Sequence, residues 1–156
     1  MIDELRALTE ASDPLLQWLV IMLAGAIPFV ESYFGSTLGI VAGVFAPVAI
    51  VAAVLGNIAS MLGLVYLAGN VRRVRRSDEK TLSARQLKFK RAFDRYGVAG
   101  VSMLGQTILP SQLTAMAMVT LGANRGNVIL WQSISIMVWG IGFGLLTMVG
   151  VTVLLP

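Results

Sequence analysis

The sequence contains no cysteine and no histidine. The first absence excludes disulfides and thiolate metal sites. The second removes imidazole as a proton shuttle, metal ligand or catalytic base. Charge is also scarce, at 13% of residues against about 25% in an ordinary soluble domain. The scarcity is concentrated. Residues 14–30, 32–71, 96–124 and 126–156 carry no charged side chain, in runs of 17, 40, 29 and 31 residues, and Glu31 and Arg125 alone interrupt these regions. A helix needs about 20 apolar residues to cross a bilayer. The chain, 56% hydrophobic, therefore reads as a single multi-pass domain of the cell membrane over residues 1–156. A basic leader is missing too, since residues 1–13 hold Asp3, Glu4, Glu10 and Asp13 against Arg6 alone, so no secretory signal peptide is expected.

The charge that is present gathers in one place. Residues 72–95 hold ten basic residues (Arg72, Arg73, Arg75, Arg76, Lys80, Arg85, Lys88, Lys90, Arg91, Arg95) and three acidic ones (Asp78, Glu79, Asp94), a net +7. A nucleic-acid patch is one reading of such a cluster. A cytoplasmic loop obeying the positive-inside bias is the better one, and no nucleic-acid partner is expected. Within the loop, Ser83 and Gln86 have capping-box spacing. Leu82, Phe89, Phe93 and Tyr96 fall on one helical face, as in an amphipathic helix lying on the inner leaflet. Arg95 is then placed to meet a lipid headgroup, or simply to snorkel at the interface.

Two apolar regions are interrupted in the same way. Asp13 and Pro14 open the first as N-cap and first helical residue; Pro28 then breaks it, followed at once by Glu31 and Ser32. In the second, Pro110 stands between Gln106 and Gln112. Proline removes a donor and disrupts the turn before it, and broken backbone at membrane depth is tolerated only inside protein or beside a wet cavity. The expected fold is all-α and integral to the membrane. It comprises a first broken, re-entrant hairpin (14–45), a transmembrane helix (47–70), the basic linker with its amphipathic helix (72–95), a second broken hairpin (97–123) and a last transmembrane helix (126–155). The order repeats, as a pseudo-two-fold inverted repeat. Two ordinary spans in place of the first hairpin are the alternative. Matching interrupted segments in two halves point to a transporter binding site. Gly35, Gly39 and Gly43 at four-residue spacing, and Ala52, Gly56 and Ser60, offer faces for close helix approach, and these suit a homodimer.

An acid inside an apolar region is a functional candidate by default, and Glu31 is the one present. Asn57, Gln106, Ser111, Gln112 and Thr114 are candidates to line a polar cavity around substrate; each is equally able to bond helix to helix. No P-loop, dinucleotide fingerprint or G-x-S-x-G occurs. No enzyme activity, cofactor or metal is expected.

The stretches Ile27-Pro28-Phe29-Val30-Glu31-Ser32 and Leu55-Gly56-Asn57 resemble the small multidrug export proteins. The second half, from Asp94-Arg95-Tyr96-Gly97 through Leu109-Pro110-Ser111-Gln112-Leu113-Thr114 to Leu121-Gly122, looks like DedA-type proteins of the VTT superfamily. The resemblance covers 27–57 and 94–122. It implies opposed re-entrant hairpins and transport, either export of small amphiphiles or flipping and scrambling of phospholipids or polyprenyl phosphates, with Glu31 as the membrane acid. Arginines usual in the family's second hairpin are replaced by Gln106 and Gln112, which argues against phosphate. The expected function is a small exporter of amphiphilic compounds in which Glu31 is the proton-coupling or the substrate-binding acid, in contact with membrane lipids. The alternatives are a lipid flippase or scramblase, and a membrane scaffold that transports nothing.

Overall fold

A computed structural model of the chain describes residues 1–74, 84–106 and 108–154. Among them the structure is entirely helical, with seven helices: α1 (Ile2–Ala11), α2 (Gln17–Ala26), α3 (Glu31–Val41), α4 (Ala46–Val74), α5 (Ala84–Gly105), α6 (Ser111–Thr120) and α7 (Arg125–Leu154). The chain divides into two compact units, Met1–Ser60 with Ile136–Pro156, and Met61–Ser135.

Among the described residues two stretches are long and apolar enough to cross a bilayer, Ala46–Leu67 and Arg125–Val153. The other apolar helices are short. At 1.5 Å per residue, α2 and α3, with 10 and 11 residues, are about 15 Å long, half of a roughly 30 Å hydrocarbon core. Their ends have local causes. Ile27 precedes Pro28 and is extended, with ψ 125°, because the proline ring crowds the helical conformation of the residue before it. α2 therefore stops at Ala26. Asp13 caps the entry, its Oδ1 accepting from the Leu15 N–H at 2.8 Å, although regular helix starts only at Gln17.

The interrupted segments of the two halves repeat one another in hydrogen bonds as well as in order. At the first break the Ile27 carbonyl accepts from the N–H groups of Val30 and Glu31; at the second, the Gly105 carbonyl accepts from Ile108 and Leu109. Both following helices end alike. Val44 N–H bonds to Gly39 O and Gly43 N–H to Ile40 O; Ala123 N–H bonds to Met118 O and Gly122 N–H to Val119 O. Each is a Schellman motif, whose reversing residue needs a left-handed backbone. Gly43 and Gly122 supply it, at φ 86° and 108°. Gly43 is thus a turn residue outside α3, with open space where a Cβ would lie; it does not extend the face of Gly35 and Gly39.

In the unit Met1–Ser60 with Ile136–Pro156, small residues let helices meet at backbone distance. A Cβ on Gly25 would collide with the Ala53 carbonyl, one on Gly56 with the Met22 carbonyl, and one on Gly39 would stand 2.6 Å from Ile21 Cδ1 and 2.8 Å from Ala49 Cβ. Ile21, Ile40, Ala49, Ala52 and Ala53 form the core beside these contacts. In lipid such contact is stabilised by van der Waals packing rather than by expulsion of water. The glycine faces are therefore occupied within the chain, and carry no argument for a second copy. α7 joins the unit with a stripe the sequence reading passed over. Gly140 faces Val54 and Ser32, and Gly144 faces Ile50 and Ser36. As its numbering rises where that of α4 falls, α7 runs antiparallel to α4.

In the unit Met61–Ser135, α5 is interrupted at Gly97, which has φ 65° and ψ −170°. The interruption separates the linker helix from the second hairpin, as the change from charged to apolar sequence predicts. Phe89 and Phe93 are half-buried while Lys90, Arg91, Asp94 and Arg95 are exposed, in keeping with an amphipathic helix. Lys90 and Asp94 pair at 2.8 Å. Leu82, Ser83, Arg75 and Arg76 lie outside the described residues. The N-terminal helix α1, against α2 and α3, has no counterpart in the sequence reading.

Candidate functional site

The first break brings an acid into the protein. Glu31 opens α3 and is fully buried, the one buried charged side chain among the described residues. Its backbone is left-handed, φ 54°, as is that of Phe29, φ 73°. That conformation costs a side-chain-bearing residue about 1–2 kcal/mol, and non-glycine residues held there gather at functional sites. The turn directs Phe29 outward, 64% exposed, while Val30, Glu31 and Ser32 lie inside.

Buried hydroxyls near Glu31 in sequence are occupied by main chain. Ser32 Oγ donates to the Ile136 carbonyl at 2.9 Å and Ser36 Oγ to the Ser32 carbonyl at 2.6 Å. Thr37 and Thr147 share a hydrogen bond of 2.9 Å. The Ser32 and Thr37 bonds fasten α3 to α7; Glu31 and Asn57 are also fully buried in this unit. An aromatic group follows the acid. The rings of Tyr33 and Phe143 lie 5.4 Å apart, and those of Trp139 and Phe143 5.9 Å.

The second break holds amides. Gln106, Ser111, Gln112 and Thr114 are all buried, as expected of residues that line a site or bond helices. Ser111 Oγ lies 3.3 Å from Gln112 Oε1, and Thr114 Oγ1 lies 3.5 Å from the Leu109 carbonyl. Ile108, at the tip, is 81% exposed, so this turn too presents an apolar residue outward. Thr107 lies outside the described residues. Three further polar residues, Ser102, Gln132 and Ser135, are fully buried here, and Ser135 Oγ donates to the Ser102 carbonyl at 2.8 Å. Sequence reasoning missed them because no proline or charge marks their places in long charge-free runs; the cluster Gln132-Ser133-Ile134-Ser135 within a spanning helix was the signal available. Arg95 is exposed, its guanidinium 5.2 Å from the neighbouring Tyr96 ring. Arg125, at the start of α7, lies 5.2 Å from the Tyr66 ring.

No cluster of metal-ligating acids occurs among the described residues. Comparison of the chain with protein families, curated proteins and solved structures gives no match.

Proposed function

We propose that this chain is a small multi-pass transporter of the cell membrane, an exporter of small amphiphilic compounds in which Glu31 binds substrate or couples its passage to protons. The observation that carries the reading is a fully buried carboxyl at a break between two half-length helices. An ionisable side chain inside an apolar region is costly and marks a functional site by default.

Membrane location is supported by the distribution of side chains. Glu31, Asn57, Gln112 and Gln132 are buried, while Val51, Leu55, Val138, Leu145, Leu146 and Val149 are exposed. That pattern suits a lipid surround, where polar groups turn inward. Length and tip chemistry support a re-entrant geometry. Legs of about 15 Å reach halfway across the core, and exposed Phe29 and Ile108 fit lipid better than water. The loop 72–95 is cytoplasmic by its charge. With α4 and α7 antiparallel, α7 starts on the cytoplasmic side at Arg125, and the two halves form an inverted repeat. Since the chain has no native cysteine, single cysteines at Ser12 and Ser77 (the latter outside the described residues) test this directly. They should label from opposite faces.

The substrate class follows from charge. A carboxyl two residues from Tyr33, whose ring lies 5.4 Å from that of Phe143, suits a lipophilic cation. A phosphate in a low-dielectric site needs cationic donors, and residues 96–124 contain none. Reconstituted liposomes should accumulate a lipophilic cation on a pH gradient, with other lipophilic cations competing and polyprenyl phosphate not competing. Translocation of a fluorescent phospholipid in the same vesicles, with no cation transport, would replace the exporter reading with the lipid-translocase one.

A further inference from the structure

The unit Met61–Ser135 contains more buried hydrogen-bonding capacity than the protein satisfies. Gln132 and Ser102 are 0% exposed and Gln106 is 6% exposed. Ser102 Oγ and both amide atoms of Gln106 and of Gln132 have no hydrogen-bond partner among the described residues. Buried polar atoms are almost always paired, and a side-chain amide with neither end bonded is a strong departure from that rule. Two such amides and the Ser102 hydroxyl lie on the two helices joined by one contact. The Ser135 hydroxyl, bonded to the Ser102 carbonyl, fixes α7 against α5. Gln132 lies three residues before Ser135, and Gln106 four residues after Ser102, so each is about one helical turn from that bond on its own helix.

The first half shows what the same position looks like without such a load. Counted from the two Schellman glycines, Gly43 and Gly122, the residue ten places on is Ala53 in one half and Gln132 in the other. Ala53 packs against Gly25. Helix packing at this position therefore needs only a methyl group, and the Gln132 amide is additional to it.

We infer that Ser102, Gln106 and Gln132 form a binding site for an uncharged head group that both donates and accepts hydrogen bonds, with a carboxamide or urea-type group as its simplest occupant. The donor set selects this class. Each amide offers two donors and one acceptor oxygen, and serine offers both. A metal cation would engage the oxygens and leave the NH2 groups unpaired. An anion would do the reverse, and residues 96–124 hold no charge to neutralise it. A carboxamide answers donors and acceptors together. The inference rests on the reading of the chain as a transporter of amphiphiles and adds that its substrates carry such a neutral group.

The test uses the full chain in detergent with three probes of equal alkyl length: an alkyl carboxamide, an alkyl trimethylammonium and an alkyl phosphate. The carboxamide should raise the melting temperature, and its Kd should weaken by about tenfold or more in Gln132→Leu and in Gln106→Leu, the loss expected when a buried hydrogen-bond pair is removed. Without ligand, both variants should melt above the parent protein, because each removes an unpaired amide. Two results overturn the inference. One is no carboxamide-induced shift, whatever the variants' stability. The other is a pair of destabilised single variants whose stability returns in the Gln106→Leu/Gln132→Leu double variant, since the amides would then be each other's partners. Binding of the carboxamide to Gly142→Ala, where an added Cβ meets nothing within 4 Å, should be unchanged. Carboxamide binding is read in detergent without transport, so a failure of Glu31-dependent export is distinguishable from a failure here.

Discussion

Where α4 meets α2, Gly56 lies against the Met22 carbonyl with no room for a side chain. Where α7 meets α5, the residue at the corresponding place, thirteen beyond the Schellman glycine, is Ser135, and its hydroxyl bonds the Ser102 carbonyl at 2.8 Å. The hairpins differ in the same sense. Gly35, eight residues before Gly43, touches Gly25; its counterpart Thr114, eight before Gly122, presents its methyl to Gly105. One half closes backbone on backbone, and the other closes through short polar side chains. The half with the tighter packing carries the acid, and the half with the looser packing carries the buried glutamines. The frame of break, Schellman turn and long helix is common to both, so the difference shows that packing and site chemistry vary together while the frame stays fixed.

The comparison can be broken most severely at Gly56. A side chain there must displace main chain, so Gly56→Leu should destabilise by about 3 kcal/mol, read as thermal unfolding in detergent. Gly63→Ala and Gly142→Ala, which meet nothing within 4 Å, should be within about 0.5 kcal/mol of the parent. Gly39→Leu meets the flexible end of Ile21 and the Ala49 methyl. It should cost less, about 2 kcal/mol, with no change in oligomeric state, because the contact is internal. In the second half Ser135→Ala removes one hydrogen bond and should cost about 0.6–1 kcal/mol; a larger loss than at Gly56 would invert the comparison. The smallest effect is expected at the strained tip. Phe29→Gly relieves a left-handed backbone costing about 1–2 kcal/mol but adds about 0.5–1 kcal/mol of unfolded-state entropy. The result should be a slight gain in thermal stability, and a clear loss would show that Phe29 packs against something.

Much of the frame was legible because proline and charge are local signals. Pro28 and Pro110 mark both breaks, Gly97 marks the joint between linker and hairpin, and the six polar candidates at the breaks and in α4 are all buried. What stayed hidden depends on partners in three dimensions. A run of glycines at four-residue spacing does not reveal that Gly35 and Gly39 pack while Gly43 turns the chain, since both uses need the same residue. Gly140 and Gly144 look like ordinary members of an apolar span until Ser32 and Ser36 are set against them. Ser102 has no break or charge beside it to flag it, and α1, short and mostly exposed, lies outside the hydrophobic pattern that located the other helices.

The central claim is that the acid at the first break does work that packing does not require. It is tested most directly by reconstituting parent and Glu31→Gln proteins side by side, at matched thermal stability, and measuring pH-gradient-driven accumulation of a lipophilic cation in the vesicles. The parent should accumulate the cation, and Glu31→Gln should not exceed protein-free vesicles. Equal accumulation by both would contradict it, and would reduce Glu31 to a buried structural residue.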